Sequence, residues 1–251
     1  MCHTDESRAP EPPLRGPVGH QAELFLTSVD GTLVRAYTAS PEGKARGGIV
    51  ILPDVRGLHP YYEDLAVRFA EAGFRTIAVD YFGRTAGTAK RDDSFDWKAH
   101  VEKTTPEGIA YDVKAAVAHL RSDAKDPHLP IFTVGFCFGG ASSWRQSADN
   151  PGLAGCIGFY GGRPMQRAGA AIPHMTAPLL MLLAGEDKGT PPTEFEEFGR
   201  LVRARGLEVE SHTYPGAPHS YFDRSFAEHK EACQDSWKRI LDFTARHTQR
   251  A

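Results

Sequence analysis

The 251-residue sequence has no long apolar run, few cysteines and no excess of charge of one sign. No apolar segment approaches the roughly 20 residues that a transmembrane helix needs, so we expect no membrane association. The 29 lysines and arginines nearly balance the 32 aspartates and glutamates, which argues against binding of nucleic acid through a basic surface. The first residues, Met1 to Arg8, lack the apolar core of a secretion signal. These absences predict a cytoplasmic protein that acts on a small molecule; they leave its oligomeric state open.

The four cysteines, Cys2, Cys137, Cys156 and Cys233, are scattered along the chain. Their spacing fits neither a disulfide framework nor a set of metal ligands, so we expect no metal and no cofactor. A reducing compartment would keep a nucleophilic thiol reduced. Cys2 and His3 have the composition of half a metal site, but no second pair accompanies them. We interpret them as part of a frayed terminus.

The distribution of prolines and apolar residues predicts an irregular arm over residues 1–20 and one domain over residues 21–251. The arm holds four prolines and little that is apolar. In the domain, two β-forming runs flank Asp30-Gly31 and predict a hairpin, and continuous apolar runs such as Gly48–Pro53 are typical of strands buried on both faces. Helices are predicted over 62–72, 106–120, 138–147, 193–205 and 225–247.

The alternation of strands and helices predicts an α/β fold. We expect a mostly parallel central sheet with helices on both faces and the N-terminal hairpin as an antiparallel edge. The polar segment 83–103 is interpreted as an irregular cap or substrate-facing loop.

The stretch Gly135-Phe136-Cys137-Phe138-Gly139 lies between a predicted strand and a predicted helix. Its spacing is that of a nucleophile elbow with cysteine in place of serine. The central residue of such a turn is strained, and glycines are needed where a Cβ would clash. Free N–H groups and the dipole of the following helix favour a thiolate and later an oxyanion. The pattern predicts a nucleophilic Cys137, with a buried structural cysteine as the alternative.

Polar residues after two later strands complete a candidate catalytic set. Ligands bind at the carboxyl ends of strands in this class of fold, where Glu186-Asp187 and His219 lie. The order Cys137, Asp187, His219 is the nucleophile–acid–base order of the α/β-hydrolase triad. His219 would take the thiol proton and return it to the leaving group, while Asp187 would fix the imidazole tautomer. Glu186 stays an alternative to Asp187.

An oxyanion needs two hydrogen-bond donors near the nucleophile. The N–H group of Phe138, which follows Cys137, is one candidate. In this fold the other comes from the loop after the third strand, and the N–H group of Val55 is the candidate there. Tyr221 is among the aromatic residues that are candidates for lining the pocket, with ordinary core packing as the alternative.

Three motifs together resemble the dienelactone hydrolase family from about residue 22 to 243: Gly-Phe-Cys-Phe-Gly-Gly, Gly185-Glu186-Asp187 and Pro218-His219-Ser220. That family hydrolyses the lactone ring of carboxymethylenebutenolide. The resemblance implies an α/β-hydrolase fold and a hydrolase of small esters or lactones that forms a covalent acyl-enzyme. The cysteine elbow is its specific part, since the other motifs are shared widely among α/β-hydrolases.

The resemblance also implies further site residues, at positions where this sequence departs from the family. A family glutamate that contacts the resting thiol is replaced by Asp54, which is one methylene shorter. The family enzyme grips the substrate carboxylate with two arginines. At the position of one, this chain has Asp223, followed by Arg224. Arg84 and Arg91 are the candidates for the other.

Two other functions remain open from the sequence. The same triad serves a thioesterase or a hydrolase of another bond, and a related protein can retain the fold as a binding module without turnover. Comparing the hydrolysis of thioester and lactone substrates distinguishes a thioesterase from a lactone hydrolase. An adduct on Cys137 that is not released would indicate a binding protein without turnover.

Overall fold

The computed structural model describes residues 3–248, in which eight strands form one sheet. The strands are β1 (Val18–Thr27), β2 (Leu33–Pro41), β3 (Gly48–Leu52), β4 (Arg75–Val79), β5 (Ile131–Phe136), β6 (Gly155–Phe159), β7 (Leu179–Ala184) and β8 (Val209–Tyr214). Their order across the sheet is β1-β2-β4-β3-β5-β6-β7-β8. The β1–β2 and β2–β4 pairs are antiparallel and all the others are parallel. The predicted fold class is confirmed.

The helices connect these strands and follow the predicted alternation. They are α1 (Pro60–Glu71), α2 (Gly83–Ala86), α3 (Lys98–Val101), α4 (Pro106–Ala124), α5 (Phe138–Asp149), α6 (Pro164–Ala168), α7 (Pro192–Arg203) and α8 (Lys230–Thr248). The segment 83–103 contains the single turns α2 and α3, and α6 was not predicted. The C-terminal helix begins at Lys230 rather than at 225, because a 3-10 turn over 227–229 precedes it. No helix within residues 3–248 combines the length and the apolar character that crossing a membrane requires.

Two apolar cores lie on opposite faces of the sheet, because successive side chains of a strand point to opposite sides. In β3, Val50 belongs to one core, whereas Ile49 and Ile51 belong to the other. Helices α4, α5 and α7 contribute to the first core, and α1 and α8 to the second. Burial on both faces explains the continuous apolar runs of the central strands.

The N-terminal arm is irregular only over residues 3–17, because β1 begins at Val18, and it docks on the domain. His3 is only 2% exposed, and the indole Nε1–H of Trp237 in α8 donates to the Pro10 carbonyl at 3.1 Å. The expectation of a frayed terminus is therefore wrong for His3. Aromatic and acidic side chains of the domain surround it, and no local pattern in the sequence signals these contacts. Cys2 lies outside the described residues.

Candidate active site

The predicted site residues follow parallel strands that end at one edge of the sheet. Asp54 and Val55 come after β3, Cys137 after β5, Asp187 after β7 and His219 after β8. Since β3, β5, β6, β7 and β8 are consecutive neighbours, their carboxyl ends bring these loops together.

Cys137 occupies a strained turn between β5 and α5. Its φ of 55° and ψ of −114° are unusual for a residue with a side chain. A Cβ added at Gly135 would lie 1.9 Å from the Gly139 carbonyl oxygen, and one added at Gly139 would lie 2.1 Å from that of Leu52. Neither position accepts a side chain, so the two glycines of the motif are required by the close approach of backbone to backbone.

The two predicted oxyanion donors lie on segments that touch. Phe138 is the first residue of α5, where N–H groups have no partner within the helix. A Cβ at Gly139 would lie 2.3 Å from the Pro53 carbonyl oxygen, so the first turn of α5 packs directly against the loop after β3. The Tyr81 hydroxyl donates to that same Pro53 carbonyl. This contact holds the loop that carries Val55.

His219 and Asp187 form a close pair, with Nδ1 and Oδ2 2.6 Å apart. The N–H group of Gly189 donates to the other carboxylate oxygen at 2.9 Å. Burial, the largest single cause, would raise the pKa of Asp187, but the hydrogen bonds from His219 and the Gly189 amide and the charge of His219 together outweigh it, and the pKa is lowered. Glu186 is exposed. Of the two candidate acids, Asp187 is the one that contacts His219.

Tyr160 packs against His219 and interacts electrostatically with Cys137. It directly follows β6 with a φ of 36°, and its ring centroid is 4.8 Å from that of His219. Burial raises the pKa of the Tyr160 phenol well above its ordinary value, and nearby groups, including the Cys137 thiol, add to that shift. From the sequence, Tyr160 is one of the aromatic candidates for lining the pocket, but it is not a member of the predicted catalytic set. Its position at the end of a central parallel strand was the available signal.

Asp54 is fully buried in a set of polar contacts. Its Oδ1 accepts the Arg56 N–H at 2.9 Å, and its Oδ2 accepts the His3 N–H at 3.3 Å. The His59 Nε2 lies 3.7 Å from Oδ2. Burial would raise the pKa of this carboxyl, but its interactions with His59 and other neighbours leave it lowered. The role implied by the resemblance, contact with the resting thiol, stays a prediction.

The three arginines predicted to bind substrate are held in ion pairs outside the cavity beside Phe138. The pairs are Arg84 with Asp30 and Asp112, Arg91 with Asp80, and Arg224 with Glu11, at 2.6 to 2.8 Å. Tyr221 is fully buried, and its hydroxyl lies 3.0 Å from the Ser236 hydroxyl. None of these four side chains lines the cavity beside Phe138, and each is engaged with a partner in the fold; their contact with substrate stays a prediction.

Arg167 of α6 lies beside Phe138, the residue that follows Cys137. Its Cζ lies 4.7 Å from the Phe138 ring centroid, and both residues line a cavity of about 390 Å³ with Arg163. Burial lowers the pKa of the Arg167 guanidinium, and the nearby Cys137 and Tyr81 oppose that shift. Within residues 3–248, no carboxylate forms an ion pair with it. Arg163 and Arg167 both follow the central parallel strand β6, a position in the sequence that is available as a signal.

A group of potential metal ligands lies at the opposite edge of the sheet. Glu208, Glu210 and His247 offer ligand atoms within 4.8 Å of one another, at the end of β8 remote from His219. Glu210 forms an ion pair with Arg246. The expectation that the chain needs no metal stays a prediction.

Comparisons with known proteins connect this chain to one family. The profile of the dienelactone hydrolase family matches residues 34–248. A relative named "Putative carboxymethylenebutenolidase" from Methylorubrum extorquens is 27% identical over 88% of this chain and 79% of its own length. One of the same name from Yersinia pestis is 26% identical over 91% and 89%.

Solved structures show the same fold. A crystal structure described as a "Putative Dienelactone Hydrolase" from Klebsiella pneumoniae subsp. pneumoniae superposes with a TM-score of 0.79 at 24% identity. The superposition covers 90% of this chain and 98% of that one. This chain therefore belongs to the dienelactone hydrolase family and is a hydrolase with the α/β-hydrolase fold.

Proposed function

We propose that this protein hydrolyses small esters or lactones, with Cys137 as nucleophile, His219 as general base and acid, and Asp187 as the residue that orients His219. The observation that carries the proposal is the 2.6 Å contact between His219 and Asp187, at the sheet edge where Cys137 occupies its strained turn. The relatives named carboxymethylenebutenolidase support a lactone or ester as substrate.

The first half of the reaction makes an acyl-enzyme. His219 takes the thiol proton of Cys137, and the sulfur attacks the substrate carbonyl carbon. The negative charge that forms on the carbonyl oxygen is held by the N–H groups of Val55 and Phe138. His219 then returns its proton to the alcohol oxygen as the carbon–oxygen bond breaks. Asp187 stabilises the imidazolium that exists between the two proton transfers.

The second half releases the acid. His219 takes a proton from water, the hydroxide adds to the thioester carbonyl, and the bond to the Cys137 sulfur breaks. The sulfur leaves as thiolate and regains its proton from His219. In a lactone, the leaving alcohol stays attached to the acyl group, so one product forms. A cytoplasmic setting belongs to the proposal, because a reducing compartment keeps the Cys137 thiol reduced.

Arg167 supports a substrate that carries a negative charge near the reacting carbonyl. Its guanidinium is partly buried beside Phe138 and within the electrostatic influence of Cys137. Because Arg167 has no carboxylate partner among the residues that the structure describes, its partly desolvated guanidinium is suited to bind an anion. We assign to Arg167 the contact with that anionic group, in place of Arg84, Arg91 and Arg224.

The test is hydrolysis of a panel of p-nitrophenyl esters, lactones and acyl-CoA thioesters by wild type and by Cys137→Ala. We expect Cys137→Ala to lose roughly three orders of magnitude or more in kcat, with an unchanged thermal unfolding temperature. Cys156→Ala, which alters a buried cysteine of β6, is the matched control and should stay active. Retained activity in Cys137→Ala would overturn the proposal, and a strong preference for thioesters would favour a thioesterase.

A further inference from the structure

The His3 side chain contacts the candidate active site from the N-terminal arm. Its ring stacks on that of Tyr61, with centroids 3.7 Å apart and planes at 9°. Its Nε2 lies 3.0 Å from the Tyr160 hydroxyl, and its backbone N–H donates to the Asp54 carboxylate. Its Nδ1 lies 3.7 Å from an Asp223 carboxylate oxygen. One residue thus contacts the loops after β3, β6 and β8.

These three loops carry groups of the proposed reaction. Asp54 immediately precedes Val55, a proposed oxyanion donor. Tyr160 packs against His219 with ring centroids 4.8 Å apart, and Asp223 lies four residues after His219. His3 therefore contacts three loops that carry groups next to the proposed oxyanion hole or general base.

The groups around His3 determine which of its two ring nitrogens carries the proton and which one accepts a hydrogen bond. Burial lowers the pKa of His3, against the opposing effects of Asp223 and Asp54, so the imidazole is neutral at neutral pH. The Asp223 carboxylate on the Nδ1 side favours a proton on that nitrogen. Nε2 then accepts the hydrogen bond from the Tyr160 hydroxyl, which needs a partner because its residue is only 1% exposed.

The arm is anchored at several points besides His3. The Arg8 N–H donates to Asp223 at 2.9 Å, and the Arg8 carbonyl accepts the Arg224 N–H at 2.9 Å. The Ala9 N–H donates to Asp64 of α1 at 3.1 Å. Asp223 stands where the family resemblance implied a substrate-binding arginine, and in this chain its carboxylate binds the arm. These contacts hold His3 in one place rather than leaving it at a loose end of the chain.

We propose that the N-terminal arm is part of the active site and that His3 is a positioning residue, which holds Tyr160 against His219 and fixes Asp54 beside Val55. This inference rests on the proposed function, since it names a residue that supports the same catalytic groups. His3 acts through Tyr160 and Asp54 and does not itself touch the reacting atoms.

The test compares three variants in steady-state hydrolysis of a p-nitrophenyl ester across pH. His3→Phe keeps an aromatic ring to stack on Tyr61 but removes both ring nitrogens, whereas His3→Gln retains a hydrogen-bond acceptor. Glu11→Gln alters the same arm at an exposed ion pair and is the matched control. We expect His3→Phe to lose roughly 10- to 100-fold in kcat with KM changed by less than about threefold. His3→Gln should recover much of that loss, and Glu11→Gln should match wild type.

A double-mutant cycle with Tyr160→Phe tests whether His3 acts through Tyr160. We expect the loss in kcat of His3→Phe with Tyr160→Phe to be close to that of Tyr160→Phe alone, because the second change removes a contact already lost. Losses that multiply, or a wild-type kcat and pH profile in His3→Phe, would overturn the proposal. If His3→Phe does not fold, the cycle is run with His3→Leu, which also lacks a hydrogen-bond acceptor, and the same outcomes decide.

Failure of this inference is distinguishable from failure of the proposed function. Inactive Cys137→Ala together with fully active His3→Phe would overturn only the role of His3. Active Cys137→Ala would overturn the proposed function, whatever the His3 variants do.

Discussion

At the scale of single residues, we propose that Arg167 gives the cavity beside Phe138 a preference for negatively charged substrates. A charge-assisted hydrogen bond to an arginine contributes about 1.5–3 kcal/mol, which corresponds to roughly 10- to 150-fold in an equilibrium or a rate. We therefore expect Arg167→Leu to lower kcat/KM by roughly 10- to 100-fold for an ester whose acyl group carries a carboxylate. The methyl-capped neutral ester should change by less than about threefold. Kinetics with the paired substrates measure both values.

Arg224→Gln is the control for this prediction, because Arg224 is paired with Glu11 rather than facing the cavity. It should leave the preference between the two esters unchanged. Equal losses for the charged and the neutral ester in Arg167→Leu would show that Arg167 supports the fold of α6 and does not bind the anion.

Gly139 allows α5 to approach the loop after β3. An added Cβ would lie 2.1 Å from the Leu52 carbonyl oxygen, a backbone atom that cannot rotate away. We expect Gly139→Ala to lower the free energy of unfolding by about 3 kcal/mol or to prevent folding. Gly169→Ala is the matched control, since its nearest neighbour is the flexible Met165 side chain at 3.4 Å. Urea unfolding of both variants gives the comparison; equal stabilities would contradict the steric account of the elbow.

At the scale of elements, the arm is joined to the loop after β8 through Asp223. Burial alone would raise the pKa of this carboxyl, but the neighbouring His3 imidazole and the hydrogen bonds from the Arg8 and Ser225 amides hold it well below its ordinary value of 3.8. A carboxyl whose pKa is lower in the folded than in the unfolded protein adds stability above the unfolded pKa. That stability is lost as the pH falls through the folded pKa.

Asp223→Asn should therefore lower the free energy of unfolding by about 1–3 kcal/mol at pH 7, and the difference from wild type should shrink as the pH falls below 3.8. Urea unfolding at a series of pH values measures it. Asp242→Asn, which alters an exposed carboxyl of α8, controls for the general effect of charge. A difference that stays constant down to pH 3 would show that the Asp223 charge does not hold the arm.

The regular elements could be predicted because their signals are local. The apolar runs of β3 and β5 reflect burial on both faces, and the glycine spacing around Cys137 reflects backbone contacts within one turn and its neighbouring strand. The five-residue helix α6 has no such signal, since it is too short for an apolar period to show. Its absence from the prediction also left Arg167 unnoticed.

Partners of polar side chains could not be predicted, because they depend on which segments the fold brings together. Arg91 and Arg84 lie in the segment that is predicted to face substrate, yet each forms an ion pair with an aspartate of the domain. The partners of His3, near the N-terminus, could not be predicted from the sequence either. Nothing near it in the sequence indicates that Tyr160 and Asp223, more than 150 positions away, would surround it.

At the scale of the whole molecule, the parallel sheet assembles the site. Five consecutive strands, β3, β5, β6, β7 and β8, end at one edge, and each is followed by a residue with a role in the proposal. These are Val55, Cys137, Tyr160, Asp187 and His219. The arm adds His3 from the start of the chain. In the proposed site, the order of the strands therefore determines which residues lie close together. The residue type after each strand determines the chemistry that it contributes.

The central claim is that Cys137 carries the acyl group, and mass spectrometry of the reacting enzyme tests it most directly. Rapid acid quenching during turnover of an activated p-nitrophenyl ester, followed by peptide mapping, should show the mass of the acyl group on the peptide that contains Cys137. The adduct should accumulate further in His219→Gln if that variant is still acylated, because deacylation needs the base, and should be absent in Cys137→Ala. Turnover with no adduct on Cys137, or an adduct on another residue that persists in Cys137→Ala, would contradict the account.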